Sequence, residues 1–205
     1  MHSARAVFSL IVAASGLILA APSACPAQEK QGGQAQQQPL PPPPARKITV
    51  DALFASLKQA PDPVSAAHIR ALIAQAWAHP ESPTADLLMT RAESALKDAQ
   101  QTEASSLLDR IVSLYPDWGY AWRRRAQSAF AQGDAEGAML DLSRALDAEP
   151  RDFLAMTELA ELMRTAHQDK PALEMMRRAL DLDPTNPALR DETERLEREV
   201  EGRDI

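Results

Sequence analysis

The clearest pattern in the chain is a helical alternation of apolar and polar positions that repeats every 34 residues. Within residues 119–150, two amphipathic segments flank the pair Gly133 and Asp134, and Pro150 follows the second segment. Side chains three and four positions apart share one face of an α-helix, so each segment presents an apolar stripe. Glycine adopts the left-handed backbone of tight turns, and proline cannot continue a helix. The stretch therefore predicts two antiparallel helices joined by a short turn.

Equivalent positions carry the same kinds of residue one period earlier and one period later. We therefore divide residues 85–186 into three units, 85–118, 119–152 and 153–186. Prolines end the second helix of each unit, alanines lie where helices cross, and larger apolar residues lie beside them: Pro116, Pro150 and Pro184; Ala92, Ala126 and Ala160; Ala104, Ala138 and Ala172; Leu108, Leu142 and Met176. Alanine lets two helix backbones approach closely. Because one hairpin cannot bury its own apolar face, the units are expected to stack.

The segments that flank the three units are also predicted to be helical. Residues 49–60 and 64–79 form two helix candidates separated by Pro61 and Pro63. They do not keep the 34-residue register, so we interpret residues 49–84 as a degenerate hairpin that caps the N-terminal end of the stack. Residues 187–205 predict a mostly polar C-terminal capping helix, and half of a coiled coil is the alternative.

Four residues precede the predicted first helices of the units and the last helix: Thr84, Trp118, Asp152 and Asn186. Threonine, aspartate and asparagine are strong N-cap formers, because their side chains accept hydrogen bonds from the free N–H groups of the first turn. Pro187 suits the first helical position, where its missing N–H costs nothing. Three of these four helix starts are therefore expected to be capped by a side chain.

Together these elements predict an all-α fold. The period and the small-residue positions resemble those of tetratricopeptide repeats, most closely at Trp122, Ala126, Ala138, Leu142, Ala145 and Pro150. The resemblance implies a right-handed superhelical stack of antiparallel helix hairpins, an α-solenoid. The chain departs from the family pattern at Arg125-Ala126, where the family prefers Leu-Gly. A generic alanine-rich helical bundle is the alternative. Residues 82–89 also resemble exported repeat proteins of alphaproteobacteria.

Residues 1–27 have the pattern of an export signal. Arg5 precedes an apolar run over residues 7–21, and small residues follow up to Ala27. A permanent membrane span needs about 20 apolar residues, so this run favours a cleaved signal peptide. We predict cleavage after Ala27, a periplasmic location and no membrane insertion after cleavage. The alternative is a lipid anchor on Cys25, which follows small residues but lacks the Leu, Val or Ile expected three positions earlier.

Residues 28–48 are rich in glutamine and proline and nearly devoid of large apolar side chains. Such a composition cannot bury enough surface to offset the entropy cost of ordering, so it predicts a disordered linker. The proline run at 41–44 favours an extended, semi-rigid spacer. We interpret the segment as a stalk, and a recognition motif for a proline-binding domain is the alternative.

Composition and motifs argue against several functional classes. The chain has 22 basic and 29 acidic residues, a net charge of −7, which disfavours nucleic-acid binding. Cys25 is its only cysteine, so no intramolecular disulfide can form. Glycine-rich phosphate loops, paired cysteines and the His-Glu-x-x-His spacing are missing from the sequence, and its histidines are far apart. We therefore predict a non-enzymatic protein that binds no metal and no cofactor.

The tetratricopeptide resemblance implies where a partner would bind. In that family the first helix of each unit lines the concave face, and the second, fifth, ninth and twelfth positions point into it. Carried onto this chain, those positions also include Asp86, Leu96 and Leu154. From them we select the predicted peptide-binding residues Met89, Glu93, Tyr120, Arg123, Gln127, Phe130, Thr157, Glu161 and Arg164. The function implied is a protein-interaction module or scaffold of the bacterial envelope that binds an unidentified protein or peptide. The alternative is a structural protein that self-associates through its convex face or last helix.

Arg123, Arg124 and Arg125 form the most distinctive charged run. Arginine binds carboxylates in a bidentate manner, so Arg123 is a candidate to grip a carboxylate of the partner. The alternative is that the three side chains point in different directions, solvated or stacked on Trp118 or Trp122. The family's clamp for C-terminal carboxylates uses lysine and asparagine at defined positions, which this chain lacks, so that specificity is not transferred.

Overall fold

The computed structural model describes residues 49–202, and every regular element in that range is an α-helix. The predicted all-α fold is thereby confirmed. The helices are α1 (Val50–Lys58), α2 (Pro63–Ala78), α3 (Pro83–Lys97), α4 (Gln101–Leu114), α5 (Gly119–Ala131), α6 (Ala135–Ala148), α7 (Phe153–Thr165), α8 (Asp169–Leu182) and α9 (Pro187–Glu201). The predicted signal, the linker and residues 203–205 lie outside the described range. None of the helices between residues 49 and 202 is long and apolar enough to cross a membrane.

The 34-residue register of the sequence reappears in the helix boundaries. Helices α5, α7 and α9 begin at Gly119, Phe153 and Pro187, and α4, α6 and α8 begin with the same spacing. From α3 to α9, each helix packs against the next one along the chain. The alanines predicted at the crossings are buried, among them Ala126 and Ala138. Small side chains at the crossings therefore let successive hairpins stack closely, as the pattern predicted.

A side chain caps the N-terminus of three of the four helices α3, α5, α7 and α9, but the cap of α3 is not the predicted residue. Asp152 accepts hydrogen bonds from the backbone N–H groups of Leu154 and Ala155, and Asn186 accepts one from Leu189. Trp118 provides no side-chain cap. The cap expected at Thr84 is wrong, because α3 begins two residues earlier. Pro83 occupies the first turn, and Ser82 accepts the hydrogen bond from the Ala85 N–H.

The turn inside each unit uses the same left-handed residue position. Gly133 has φ +85°, and the equivalent positions in the neighbouring units hold Ala99 with φ 56° and His167 with φ 58°. A side chain added at Gly133 would contact nothing within 4 Å, so its cost would be purely conformational. All three hairpins therefore turn in the same way, but only the central one uses the residue that suits this backbone best.

We expect Gly133→Ala to lower the free energy of unfolding by about 1–2 kcal/mol, because alanine is strained in the left-handed region. The reverse substitution, Ala99→Gly, should raise it by up to about 1 kcal/mol, since the relief of strain exceeds the added entropy of the unfolded chain. Urea denaturation followed by circular dichroism measures both. Equal effects of the same sign in the two variants would contradict this explanation.

The N-terminal hairpin does not cap the end of the stack. Helix α2 packs on α5, and the rings of Phe54 and Trp77 meet Phe153 at the start of α7, with centroid distances of 6.2 and 5.6 Å. Phe54 and Trp77 also contact each other, at 6.0 Å. The prediction that residues 49–84 cap the N-terminal end of the stack is therefore wrong, because these aromatic side chains are buried against the second and third units instead.

Polar contacts tie this hairpin to three successive turns between units. The indole N–H of Trp118 donates to the carbonyl of Trp77 at 2.8 Å, and the indole N–H of Trp77 donates to Glu149 at 3.2 Å. Two ion pairs complete the set: Arg151 with Asp51 at 2.6 Å, and Arg70 with the fully buried Asp183 at 3.1 Å. We call the hairpin formed by α1 and α2 the N-terminal brace, because it spans the edge of the array.

Candidate functional site

The first helices of the units, α3, α5 and α7, carry the residues predicted to bind a partner. Two of these residues, Phe130 and Glu161, are exposed. Five are half-buried, namely Glu93, Tyr120, Gln127, Thr157 and Arg164. The remaining two, Met89 and Arg123, are buried. The structure therefore keeps seven of the nine at least partly accessible.

Met89 lies in the hydrophobic core. Its side chain is 3% exposed and belongs to the same cluster as Ala92, Leu108 and Trp122. The prediction that it faces a partner is wrong in this respect, because α3 turns this position toward its neighbours in the stack. A role for Met89 is therefore packing of the first unit.

Arg123 is also buried, at 6% exposure, and is already paired within the chain. Its Nε atom donates to Asp152 at 3.1 Å, and its terminal nitrogen donates to Glu158 at 3.3 Å. The guanidinium also lies over the Tyr120 ring, 5.4 Å from its centroid. The hypothesis that Arg123 grips a carboxylate of the partner does not fit this arrangement, since two internal carboxylates occupy the guanidinium.

A chain of hydrogen bonds connects the three first helices. The Tyr120 hydroxyl on α5 donates to Glu93 on α3 at 2.8 Å. Arg124 donates to Gln127 at 2.6 Å, and Gln127 in turn donates to Glu158 on α7 at 2.8 Å. These bonds hold the polar side chains of this face in fixed positions, so a partner would meet an ordered surface.

Burial shifts the pKa values of several groups in this network. The pKa of Tyr120 is raised to about 12, first by burial and then by its hydrogen bond to Glu93. Burial also raises the pKa of Glu158 and of Asp152, and the positive charge of Arg123 opposes the shift in both. The positive charge of Arg123 therefore offsets part of the effect of burial on both carboxylates.

We expect Tyr120 to ionise about two pH units later than an ordinary tyrosine. Because the folded pKa is raised, its contribution to stability is present below about pH 10 and is lost as the pH rises through about 12. Alkaline titration of tyrosinate absorbance should show a step near pH 12 that disappears in Tyr120→Phe. The chain has two tyrosines, so Tyr115→Phe is the matched control, and loss of the step there instead would contradict the assignment.

Two cavities open on either side of α7. The α5–α7 cavity has a volume of about 310 Å³, with apolar walls from Ala126, Phe130, Leu142 and Leu162 and polar walls from Gln127, Glu158, Glu161 and Thr165. The α7–α9 cavity has about 370 Å³ and is lined by Phe153, Leu154, Thr157, Glu158, Glu161, Asn186, Ala188, Leu189 and Glu192. We call the two cavities together the α7 groove. Four of the predicted residues line it, Gln127, Phe130, Thr157 and Glu161.

Glu158 lines both cavities of the α7 groove but is not among the residues predicted from the sequence. It lies one place after the fifth position of its unit, in register with Arg124 in the preceding unit. It accepts hydrogen bonds from Arg123 and Gln127 and lines both cavities. Consecutive residues of a helix are about 100° apart around its axis. A predicted binding face that also included the neighbour of each fifth position would therefore have contained Glu158.

Arg125 stacks on Trp122, as in the alternative given for the run Arg123 to Arg125. Its guanidinium lies over the Trp122 ring, 4.8 Å from the centroid, and pairs with Asp141 at 2.6 Å and Asp109 at 3.2 Å. The hydrogen bond to Asp141 is the largest cause of its raised pKa. Arg125 therefore serves the packing of α4, α5 and α6, away from the α7 groove. Among residues 49–202, His, Asp and Glu side chains form no group of three or more that could hold a metal ion.

Stacked hairpins with a 34-residue register define the class of this protein as an α-solenoid of the tetratricopeptide type. The chain is 31% identical over 156 residues to a TPR repeat-containing protein of Rhizobium etli, and the match covers 76% of each chain. The protein therefore belongs to the tetratricopeptide repeat family. No family model matches the chain.

Solved structures of low sequence identity share the fold. The first TPR domain of RPAP3, solved with the HSP90 peptide SRMEEVD, is 18% identical with a TM-score of 0.53, covering 60% of this chain and 97% of that one. The Sgt2 TPR domain of Aspergillus fumigatus is 21% identical with a TM-score of 0.53, over 60% and 83%. The Yersinia enterocolitica chaperone SycD, in complex with a peptide of YopD, is 15% identical with a TM-score of 0.50, over 60% and 93%. These likenesses show the fold.

Proposed function

We propose that the protein is a non-catalytic interaction module of the bacterial envelope that holds a segment of a partner protein in the α7 groove. The observation that carries this proposal is Phe130, whose large apolar side chain is 53% exposed at the α5–α7 cavity. Its neighbours there, Leu142 and Leu162, supply an apolar floor. A concave site with apolar walls and a few polar groups is the usual form of a binding site.

Two proteins of this fold support the proposal by analogy. The structures of the RPAP3 domain and of SycD each contain a bound peptide. The α-solenoid presents its first helices as a continuous surface, which suits an extended segment. The ordered hydrogen-bond chain through Glu93, Tyr120 and Gln127 also lowers the cost of binding, since these side chains need no further ordering.

A matched pair of substitutions tests the site. Phe130 and Leu140 are similarly exposed, at 53% and 56%, but Leu140 lies on α6 and lines neither cavity of the groove. Partner capture from envelope extracts, quantified by mass spectrometry, should fall at least tenfold for Phe130→Ser and stay unchanged for Leu140→Ser. Equal capture by Phe130→Ser and the wild type, with unchanged circular dichroism, would contradict a site at the α7 groove.

The envelope location rests on the export signal predicted for residues 1–27. We propose that the mature protein begins at Gln28 and is periplasmic, with residues 28–48 as its linker. The protein can be purified from the soluble and membrane fractions of the cells that produce it naturally. Mass spectrometry then identifies its N-terminal residue and any lipid attached to it. A diacylated Cys25 would replace the cleaved form by the lipid-anchored alternative, and an intact Met1 would contradict export with cleavage.

Self-association is a second candidate function, favoured by the outer side of α3. Leu87 is 53% exposed, whereas the equivalent residues Ala121 and Ala155 are completely buried against the preceding hairpin. The brace packs on α5 and on Phe153 of α7 instead. Leu114 at the end of α4 is also exposed. Multi-angle light scattering distinguishes the candidates, since a dimer lost in Leu87→Ser would support self-association.

A further inference from the structure

The charged side chains that line the α7 groove are all glutamates. Glu158 and Glu161 line both of its cavities, and Glu192 lines the second. No lysine or arginine lines either cavity. We infer that the segment bound in the groove is basic: an extended stretch in which lysine or arginine lies next to large apolar residues. This inference rests on the proposed function and adds the chemistry of the partner.

The arginines near the groove are engaged by carboxylates of the chain itself. Arg123 is buried between Asp152 and Glu158. Arg124 lies 3.5 Å from Glu93, and a further arginine on α7, Arg164, pairs with Glu192 and with Glu199. An acidic segment would therefore find each of these three arginines already within ion-pair distance of a carboxylate. It would have to separate Arg123 from its partners, and breaking a buried pair is costly.

Glu161 is the carboxylate left for a partner. It is exposed, it lies between the two cavities, and it makes no ion pair among the described residues. A lysine or arginine placed above it would gain a charge-assisted hydrogen bond without disturbing any internal pair. Charges at the rim of a site mainly steer association and set its salt dependence. Basic segments are therefore favoured over acidic ones at this position.

The apolar walls set the second requirement. On one side of Glu161 the cavity presents Phe130 and Leu162, and on the other it presents Leu154 and Leu189. Each cavity has room for one large side chain, since a volume of about 300 Å³ is at the lower end of ligand-binding cavities. The fitting segment thus combines a cation over Glu161 with apolar side chains on either side of it.

Selection of random peptides displayed on phage against the full-length chain tests this chemistry. The enriched sequences should combine lysine or arginine with leucine, isoleucine or phenylalanine. A labelled synthetic peptide of the enriched sequence should bind Glu161→Lys about tenfold more weakly than the wild type, and added salt should weaken wild-type binding. Glu136→Lys, which reverses an exposed charge on α6, is the matched control and should bind as the wild type does.

A charge-swapped peptide, with glutamate in place of each lysine and arginine, completes the test. It should bind Glu161→Lys better than it binds the wild type. Enriched peptides that are acidic or neutral, yet lose binding in Phe130→Ser, would overturn the basic partner while leaving the α7 groove as the site. Peptides unaffected by Phe130→Ser, or no enrichment at all, would overturn the inference together with the proposed function.

Discussion

Arg123→Met is expected to lower the free energy of unfolding by about 3–5 kcal/mol, the usual effect of removing one partner from a buried ion pair. Methionine retains much of the length of the side chain but leaves Asp152 and Glu158 without their cation. Asp152 keeps its hydrogen bonds to the N–H groups of Leu154 and Ala155, which should place the loss near the lower end of this range. Urea denaturation at neutral pH measures it.

The same variant should acquire a stronger pH dependence. The folded pKa values of Asp152 and Glu158 are raised by burial in the wild type, and without Arg123 they should rise further. A carboxyl with a raised folded pKa stabilises the protein below its unfolded pKa, and that contribution is lost as the pH rises through the folded value. Acidification from neutral pH should therefore restore part of the stability that Arg123→Met loses.

Two further variants separate charge from packing. Arg144→Met removes an exposed arginine that stacks on Trp122 at 4.9 Å, and it should cost less than about 1 kcal/mol. Combining Arg123→Met with Asp152→Asn and Glu158→Gln removes the unpaired charges and should recover stability. A loss in Arg123→Met no larger than in Arg144→Met would show that the buried pairs contribute little.

Trp77→Ala is expected to destabilise the brace by about 3–5 kcal/mol, as for other large aromatic side chains removed from a core. It removes the ring contacts with Phe54 and Phe153 and the hydrogen bond to Glu149. We expect the wild type to unfold in a single thermal transition. In Trp77→Ala this transition should separate into an early loss of α1 and α2 and a later loss of the repeats.

Limited proteolysis locates the early transition. Cleavage between α1 and α2, at residues 59–62, should become rapid in Trp77→Ala well below the main unfolding temperature. Val64→Ala is the matched control, because Val64 lies on the same helix with its side chain in solvent. Identical cleavage rates and one shared transition in the two variants would show that Trp77 does not anchor the brace.

The repeats could be predicted from sequence because their determinants are local. The turn at Gly133, the end of α6 before Pro150 and the alanines at the crossings all act within one hairpin or between neighbours. The cap expected at Thr84 lies at Ser82 for an equally local reason, because Pro83 occupies the first turn of α3. The periodicity of apolar residues was therefore enough to predict most of the arrangement of helices α3 to α9.

The brace could not be predicted in the same way. Its contacts join residues far apart in sequence, such as Arg70 with Asp183 and Asp51 with Arg151. Repeat logic instead predicts that the first hairpin caps the end of the stack, and its broken 34-residue register does not indicate where else it would pack. Long-range pairing of this kind is decided by which aromatic and charged surfaces fit together in three dimensions.

The candidate site was predicted in its outline and corrected in its chemistry. Family positions pointed to Phe130 and Glu161, which line the α7 groove. They also pointed to Arg123, whose partner Asp152 caps α7 and whose partner Glu158 lies on the first turns of that helix. Glu158 follows Arg123 by about one 34-residue period, so the two residues lie on the first helices of adjacent units. The repeat register alone could therefore have predicted this ion pair.

The brace also constrains how this protein can change in evolution. Open solenoids lengthen or shorten by duplicating or deleting a unit, because each unit contacts only its neighbours. Here one hairpin reaches Trp118, Glu149 and Asp183, which belong to three consecutive junctions. Inserting or deleting a repeat would move at least one of these junctions too far from the N-terminal brace for the contact to form. The number of repeats between residues 85 and 186 is therefore fixed by a segment that is not itself a repeat.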